Sequence, residues 1–184
     1  MNWILASGSP RRRELLEMLG VPNLTIRPAK GPERATPGAG PEQTVRELAL
    51  HKAQEVAQTC APEDTIVYLD GVILGKPKDT ADAARMLAAL SGREHTVYTG
   101  VAVLRGGETR LAAEHTAVRF RTLTPEEIAR YIATGEPMDK AGAYGIQGRG
   151  ALFVAHLDGD YFNVMGLPLC RLGQLLNELG VELL

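Results

Sequence analysis

A run of serine, glycine and arginine near the start of the chain has the residue types of an anion-binding site. Its sequence is Ser7-Gly8-Ser9-Pro10-Arg11-Arg12-Arg13. Ser9 is a favourable helix N-cap and Pro10 suits a first helical position, so the arginines fall in the first turn of a predicted helix. That turn carries the positive end of the helix dipole, where each added cation is unfavourable by about 0.3–1 kcal/mol.

A bound phosphate would offset this unfavourable arrangement. Backbone N–H groups of residues 7–9 and the planar arginine side chains together form a cradle for such an anion. Successive residues point about 100° apart around a helix, so at most two of the three arginines can face one ligand. An ordinary basic patch on a strand-to-helix turn is the alternative, and these residues alone leave it open.

Two acids and two lysines farther along the chain are further candidates. Asp64 begins one β-rich run and Lys76 ends the next, and Asp70-Gly71 between the runs indicates a two-residue hairpin turn. Such a hairpin brings Asp64 and Lys76 together, either as an ion pair or as a metal ligand beside a phosphate contact. Glu33 in a loop and Lys52 on a predicted helix are, taken alone, typical of solvated residues.

The elements that position these residues alternate between strands and helices. Apolar periodicity and Gly or Pro breaks define them. Strands are predicted at residues 3–5, 23–27, 97–103, 111–120, 151–156 and 161–164, besides the hairpin, with residues 28–41 as an irregular loop. Helices are predicted from Pro10 to Gly20, at 45–57, at 80–90 with Thr80 as the cap, from Thr124 to Thr134 with a capping box, and before Gly180.

Residues 139–150 contain four glycines among polar residues. Glycine allows a positive φ or a close approach of the backbone to a ligand. The segment matches neither the dinucleotide-binding fingerprint nor the P-loop pattern, so spacing alone assigns it no role.

The overall composition limits the class of protein. A chain of 184 residues fits one domain with a real core, and its net charge of −2 with 5% aromatic residues disfavours a nucleic-acid binder. Two cysteines are too few for a disulfide framework. No stretch has the length of a membrane span or the pattern of a signal peptide, so we expect a cytoplasmic protein without a membrane partner.

In their order and spacing, the motifs of this chain resemble those of the Maf family of nucleoside triphosphate pyrophosphatases over almost its whole length. The pieces that carry the resemblance are Leu5-Ala6-Ser7-Gly8-Ser9-Pro10-Arg11-Arg12, Glu14-Leu15-Leu16, Glu33, Leu48-Ala49, Lys52-Ala53, Asp64-Thr65, Leu74-Gly75-Lys76-Pro77, Thr99-Gly100-Val101, Asp139-Lys140-Ala141-Gly142, Tyr144-Gly145 and Gln147-Gly148. Each piece is weak alone, and the set is specific. The form of residues 139–148 resembles the branch that acts on dTTP and UTP.

The resemblance implies a fold and a reaction. The implied fold is α/β, a strongly bent mixed β-sheet flanked by helices, as one domain of residues 1–184 with two lobes around a central cleft. The implied reaction is hydrolysis between the α- and β-phosphates of a nucleoside triphosphate, with Mg²⁺ or Mn²⁺. A homodimer is the assembly that the family suggests.

The resemblance also places eight residues in the active site, and their chemistry suggests a role for each. Arg11, Arg12, Lys52 and Lys76 would hold triphosphate oxygens, and Ser7 would complete the cradle. Glu33 and Asp64 would hold the metal, with Asp64 the better candidate to deprotonate the attacking water, although the sequence does not decide which acid is base and which is ligand. Gln147 would bind the pyrimidine edge, because an amide offers both a donor and an acceptor.

Two alternative functions remain open at this stage. The same chemistry could act on 7-methyl-GTP or on a broad set of nucleotides. A non-enzymatic nucleotide-binding regulator of septum formation is the other alternative. The acids Glu33 and Asp64 argue against that regulator, because carboxylates near phosphate do not help a module that only binds anions.

Overall fold

The fold is seen in a computed structural model, which describes residues 2–31, 35–57, 63–69 and 72–184; for residues 53, 57, 63–69 and 72–73 only the backbone is described. The strands are β1 (Trp3–Leu5), β2 (Leu24–Ile26), β3 (Glu63–Leu69), β4 (Val72–Leu74), β5 (Glu94–Arg105), β6 (Glu108–Phe120) and β7 (Val154–Asp158). The helices are α1 (Pro10–Met18), α2 (Pro41–Ala57), α3 (Thr80–Leu90), α4 (Pro125–Ile132), α5 (Tyr161–Met165) and α6 (Leu169–Glu178). Single 3-10 turns lie at Glu136–Asp139, Ala141–Ala143 and Arg149–Phe153.

Strand pairing confirms an α/β fold with both parallel and antiparallel sheets. Strand β1 pairs in parallel with β2, with Leu5 opposite Ile26, and α1 connects them. The other sheet has the order β4-β3-β5-β6-β7. Strands β3 and β4 are antiparallel with Leu69 opposite Val72, so two residues connect them, as the hairpin prediction requires. Those two, Asp70 and Gly71, lie outside the described residues.

The chain divides into two compact units. The first holds residues 1–65, 99–114 and 166–184, and the second holds residues 66–98 and 115–165. The prediction of a single domain with a cleft between two lobes stays a prediction.

The first unit has an aliphatic core between strand and helix faces. Leu5, Leu15 and Leu16 are buried, which gives α1 its inner face. Gly100 lies where α2 meets β5, and a Cβ there would be 2.1 Å from the carbonyl oxygen of Val45. Only glycine permits this approach without movement of the backbone.

The second unit has an aromatic core. Rings pack edge to face, with centroids 4.7 Å apart for Phe120 and Tyr144 and 4.9 Å apart for Tyr131 and Phe153. Phe120, Tyr131, Tyr144 and Phe153 are all buried. Tyr144 and Phe153 therefore anchor residues 144–153 to this aromatic core.

The structure corrects two predictions of where helices begin. Helix α2 begins at Pro41, which the prediction placed in the loop, because proline is as suitable at a first helical position here as in α1. Helix α3 is capped by Asp79 and not by Thr80: the Asp79 side chain accepts the backbone N–H of Asp82 at 2.8 Å.

The prediction of a strand at residues 161–164 is wrong. These residues form α5, and β7 instead pairs with β6. Local hydrogen bonds begin the helix: the Asp160 side chain accepts the Phe162 N–H at 2.7 Å. The buried Asn163 then donates to the Val97 carbonyl and to Oγ1 of Thr116. A β-rich composition was outweighed by this local cap and by the tertiary contacts of one polar side chain.

Candidate active site

The first turn of α1 lacks the features that usually stabilise the start of a helix. Ser9 is the N-cap residue, as predicted, and its backbone is extended, but within the described part of the chain its side chain makes no capping hydrogen bond. No acidic residue lies in this turn, whereas Arg11 and Arg12 both do. The turn itself therefore supplies only positive charge, at the positive end of the helix dipole.

Arg12 is 9% exposed, and at least two hydrogen bonds orient its side chain. Its Nε donates to the carbonyl oxygen of Gly166 at 2.8 Å, and its Nη1 donates to Oγ of Ser7 at 2.9 Å. The backbone N–H of Ser9 donates to the same Oγ at 3.3 Å. The structure thus brings Ser7 and Arg12 together beside the start of α1. Two fixed bonds hold the guanidinium in one orientation, which preorganises its charge.

Arg11 and Arg13 lie in different environments. Arg11 is half-buried, and among the described residues its side chain has no hydrogen bond or ion pair. Arg13 is exposed and pairs with Glu17 one turn later at 2.7 Å. The helix surface alone explains Arg13, so Arg11 and Arg12 are the two arginines of the turn that remain candidates for a ligand.

Two glutamates on α2 hold the described residues on either side of positions 32–34. Glu55 accepts the backbone N–H groups of residues 30–31, both at 2.8 Å. Glu47 accepts the backbone N–H of Thr36 at 2.6 Å. A Cβ on residue 31 would lie 2.4 Å from the Glu55 carboxylate, so glycine is needed there by a protein group. Glu33 itself lies outside the described residues.

The remaining first-unit candidates are Lys52 and Asp64. Lys52 lies on α2, is half-buried and has a partner within the protein. The backbone of Asp64 lies in β3, and its side chain is outside the described part. Among the described side chains, no three of His, Cys, Asp or Glu converge as a metal site would require. The metal ligands Glu33 and Asp64 stay predictions.

Lys76 and Gln147 lie on exposed positions of the second unit. The backbone N–H of Gly142 donates to the carbonyl oxygen of Gly75 at 3.1 Å, which ties the glycine-rich segment to the residue before Lys76. In the part of the chain that is described, neither side chain makes a hydrogen bond or an ion pair. Both are therefore accessible to a ligand at the surface of this unit.

A glutamate that the sequence analysis did not single out organises residues 145–150. The carboxylate of Glu136 accepts the backbone N–H of Arg149 at 3.0 Å, the backbone N–H of Gly150 at 3.2 Å and the hydroxyl of Tyr131 at 2.9 Å. The Tyr131 hydroxyl in turn accepts the backbone N–H of Gly145 at 3.1 Å. Burial raises the pKa of Glu136, but these hydrogen bonds outweigh it, and the net pKa is lowered.

The glycines of this segment are explained largely by contacts within the protein. A Cβ on Gly148 would lie 2.4 Å from the Glu136 carboxylate, and one on Gly145 would lie 2.7 Å from the Lys140 side chain. Gly142 has a φ of +69°, which side chains rarely adopt. Dense glycines some ten residues after an acid are the sequence signal that could have revealed Glu136.

A buried histidine contacts Tyr144 in the glycine-rich segment of residues 139–150. Nε2 of His95 lies 2.8 Å from the hydroxyl of Tyr144, and the His95 ring packs edge-on against Phe120. Burial lowers the pKa of His95 to about 4, and it raises the pKa of Tyr144 far above its usual value. Both side chains are therefore neutral near pH 7, and their contacts lie within the aromatic core.

Comparison with known proteins identifies the family. A family model described as "Maf-like protein" matches residues 2–179. The chain belongs to the Maf family. A "dTTP/UTP pyrophosphatase" of Moorella thermoacetica is 54% identical over 97% of this chain and 95% of its own length. Proteins of the same name from Symbiobacterium thermophilum and Dictyoglomus thermophilum are 51% and 47% identical, over 96% and 98% of this chain and 93% and 97% of their own lengths.

This Maf-family chain has no helix, within the residues described, that is long and apolar enough to cross a membrane. Its family resemblance, predicted from motifs along the whole chain, is confirmed by the family match. Of the eight predicted site residues, the structure joins Ser7 and Arg12 by a direct hydrogen bond.

Proposed function

We propose that this protein hydrolyses dTTP and UTP to the nucleoside monophosphate and pyrophosphate. The observation that carries the proposal is the similarity of nearly the whole chain to proteins of that name, at 47–54% identity. The first turn of α1 supplies a physical basis, because a fixed guanidinium and a helix N-terminus are suited to a polyphosphate.

Charge neutralisation by the protein is the first component of the proposed mechanism. Arg11 and Arg12 bind triphosphate oxygens at the start of α1, with Ser7 holding Arg12 in place. Lys52 and Lys76 add point charges that stabilise the departing pyrophosphate. In such a displacement the transition state gains negative charge on the leaving group, so these cations bind it more tightly than the substrate.

Proton removal from water is the second component. The oxygen of water bonds to the α-phosphorus, the bond from that phosphorus to the bridging oxygen breaks, and pyrophosphate leaves. We propose that Asp64 accepts the proton of the attacking water. Glu33 and Asp64 are hard oxygen donors of the kind that suits Mg²⁺ or Mn²⁺, and they would hold this ion. When bound, such an ion neutralises phosphate charge and acidifies water.

Base selection is the third component. Gln147 is exposed at the turn between Gly145 and Gly150, and its amide can donate and accept hydrogen bonds at once. Uracil and thymine present an acceptor–donor–acceptor edge that one amide can bind at two neighbouring positions. We propose that this pairing favours UTP and dTTP over other bases.

A panel of nucleotides tests the proposal. Pyrophosphate release is measured for UTP, dTTP, CTP, GTP and 7-methyl-GTP with Mg²⁺ or Mn²⁺. We expect the highest kcat/KM for UTP and dTTP. A preference for 7-methyl-GTP, or similar values for all bases, supports the alternative in which the same chemistry acts on 7-methyl-GTP or on a broad set of nucleotides. Nucleotide binding without pyrophosphate release from any substrate supports the septum regulator. Asp64→Asn is the control for turnover, because it should bind nucleotide and lose most hydrolysis.

Location and assembly complete the proposal. We propose a cytoplasmic enzyme, because nucleoside triphosphates are made and used there, and a homodimer, as the family suggests. Light scattering of the purified protein tests the dimer.

A further inference from the structure

The span that carries Gln147 is short and is tied on both sides. On one side, the Gly145 N–H donates to the Tyr131 hydroxyl at 3.1 Å. On the other side, the Arg149 N–H donates to the Glu136 carboxylate at 3.0 Å. Only three residues lie between these anchored groups, and the middle one is Gln147.

The two anchoring groups, the Tyr131 hydroxyl and the Glu136 carboxylate, are hydrogen-bonded to each other. The Tyr131 hydroxyl donates to Oε1 of Glu136 at 2.9 Å, and the same Oε1 accepts the Gly150 N–H at 3.2 Å. The Glu136 backbone is held as well, since Nζ of Lys140 donates to its carbonyl oxygen at 2.7 Å. One carboxylate thus joins both ends of the Gln147 span to helix α4.

The contacts of the glycines show how tightly the carboxylate fits. A Cβ on Gly148 would lie within 2.4–2.7 Å of three carboxylate atoms of Glu136. A Cβ on Gly150 would lie 2.8 Å from the Tyr131 hydroxyl. No side chain fits between the carboxylate and the backbone that it holds, so the position of the span follows the position of Glu136.

We propose that Glu136 is a positioning residue for base selection. Resting on the proposed function, the inference is that Glu136 sets the backbone from which Gln147 binds the nucleobase, and takes no part in hydrolysis. Removing its charge should therefore weaken discrimination between bases while leaving the turnover of bound substrate largely intact. A purely structural acid would instead affect stability and all substrates alike.

The principal variant is Glu136→Gln, which keeps the shape but turns an amide NH₂ toward a backbone N–H. We expect the ratio of kcat/KM for UTP to that for CTP to fall about tenfold, through a higher KM for UTP, because a backbone N–H that faces an amide NH₂ loses its acceptor and the span loses an anchor. The kcat for UTP should stay within about threefold of wild type, since the triphosphate contacts are unchanged.

Glu127→Gln is the matched control. Glu127 also accepts a backbone N–H, that of Thr124, and side-chain N–H groups, those of Arg121, in the same unit. It holds no part of the Gln147 span. This variant should lower the thermal unfolding midpoint and leave the UTP-to-CTP ratio at the wild-type value.

Tyr131→Phe keeps the inference testable if Glu136→Gln does not fold. It removes one hydroxyl that links Glu136 to Gly145 and leaves the ring in place, so it should shift the same ratio in the same direction by a smaller factor. An unchanged ratio in the folded variants, or an equal loss for both nucleotides, would overturn the role of Glu136. A wild-type enzyme without any preference for UTP or dTTP would overturn the proposed function as well, which separates the two failures.

Discussion

Helices α1 and α4 both begin with proline after a hydroxyl residue, yet their first turns are built in opposite ways. In α4, Oγ1 of Thr124 accepts the Glu127 N–H at 3.3 Å, and the Glu127 carboxylate accepts the Thr124 N–H at 2.9 Å. This capping box has two acids in the first turn and Arg130 in the last turn. Every one of these features favours the helix itself.

The start of α1 has none of these features. Among the described residues, the Ser9 side chain makes no capping hydrogen bond, and the first turn holds arginines in place of acids. Arg12 is buried and fixed by Ser7 and Gly166. Helix α4 therefore starts in the way that best stabilises a helix, whereas α1 has a less favourable start that places a buried, hydrogen-bonded cation in its first turn.

The largest effect should follow from Arg12→Ala. If the first turn of α1 binds the triphosphate, kcat/KM for UTP should fall about 100-fold or more, since the lost donors face developing charge. Affinity for the triphosphate should fall more than affinity for the monophosphate, as measured by calorimetry. Arg12→Lys keeps the charge without the planar fork, so its kcat/KM for UTP should lie between the values of wild type and Arg12→Ala. Equal losses for both nucleotides would contradict the cradle.

Arg11→Glu should change activity and stability in opposite directions. An acid in place of a cation at the positive end of the helix dipole should stabilise α1 by about 0.5–1 kcal/mol. The same change should lower kcat/KM for UTP about tenfold or more, because it puts a negative charge near phosphate. Thermal unfolding and pyrophosphate release measure the two effects, with Arg11→Gln as the neutral control. A variant that loses both stability and activity would contradict the premise that cations in the first turn of α1 destabilise the helix.

Thr124→Ala, in α4, should lower stability and leave activity unchanged. Loss of the N-cap hydroxyl should lower the free energy of unfolding by about 1 kcal/mol. The kcat/KM for UTP should equal that of wild type. Ser9→Ala is the matched control in α1, and it should cost less stability because the Ser9 side chain caps nothing in the described structure. A greater loss from Ser9→Ala would show that α1 is capped after all.

The smallest effect concerns pH. Hydrogen bonds from Arg121 and then from the Thr124 N–H lower the pKa of Glu127 to about 2 from its usual value of 4.5. The stability that Glu127 contributes is therefore fully present above about pH 4.5 and is lost as the pH falls toward 2. The difference in unfolding midpoint between wild type and Glu127→Gln should shrink over that range. A difference in unfolding midpoint that does not change with pH would contradict this role of Glu127.

The sequence predicted features that depend on neighbouring residues. The start of α1 at Pro10, the capping box of α4 and the antiparallel pairing of β3 with β4 all follow from local residue chemistry, and the structure has each of them. The pairing of Ser7 with Arg12 was also predictable, because one strand-to-helix turn carries both.

Contacts between distant parts of the chain could not be predicted in the same way. Glu136 holds residues 13 and 14 positions later. The glycines at that distance hint at this contact, but the immediate neighbours of Glu136 do not distinguish it from a solvated acid. Helix α5 was mistaken for a strand because its β-rich residues are held by Asn163, whose partners lie 47 and 66 positions earlier. Tertiary contacts of polar side chains decided both cases.

The missing side chain of Gly100 has a consequence for how mutations in this protein are interpreted. Because the Val45 carbonyl occupies the space of a Cβ on residue 100, even one added methyl group would displace α2, the helix that carries Lys52. A screen for loss of function would then score Gly100→Ala together with changes at the proposed site residue Lys52, although the added methyl group meets the backbone of α2. Genetic sensitivity at this position would report the distance between a helix and a strand.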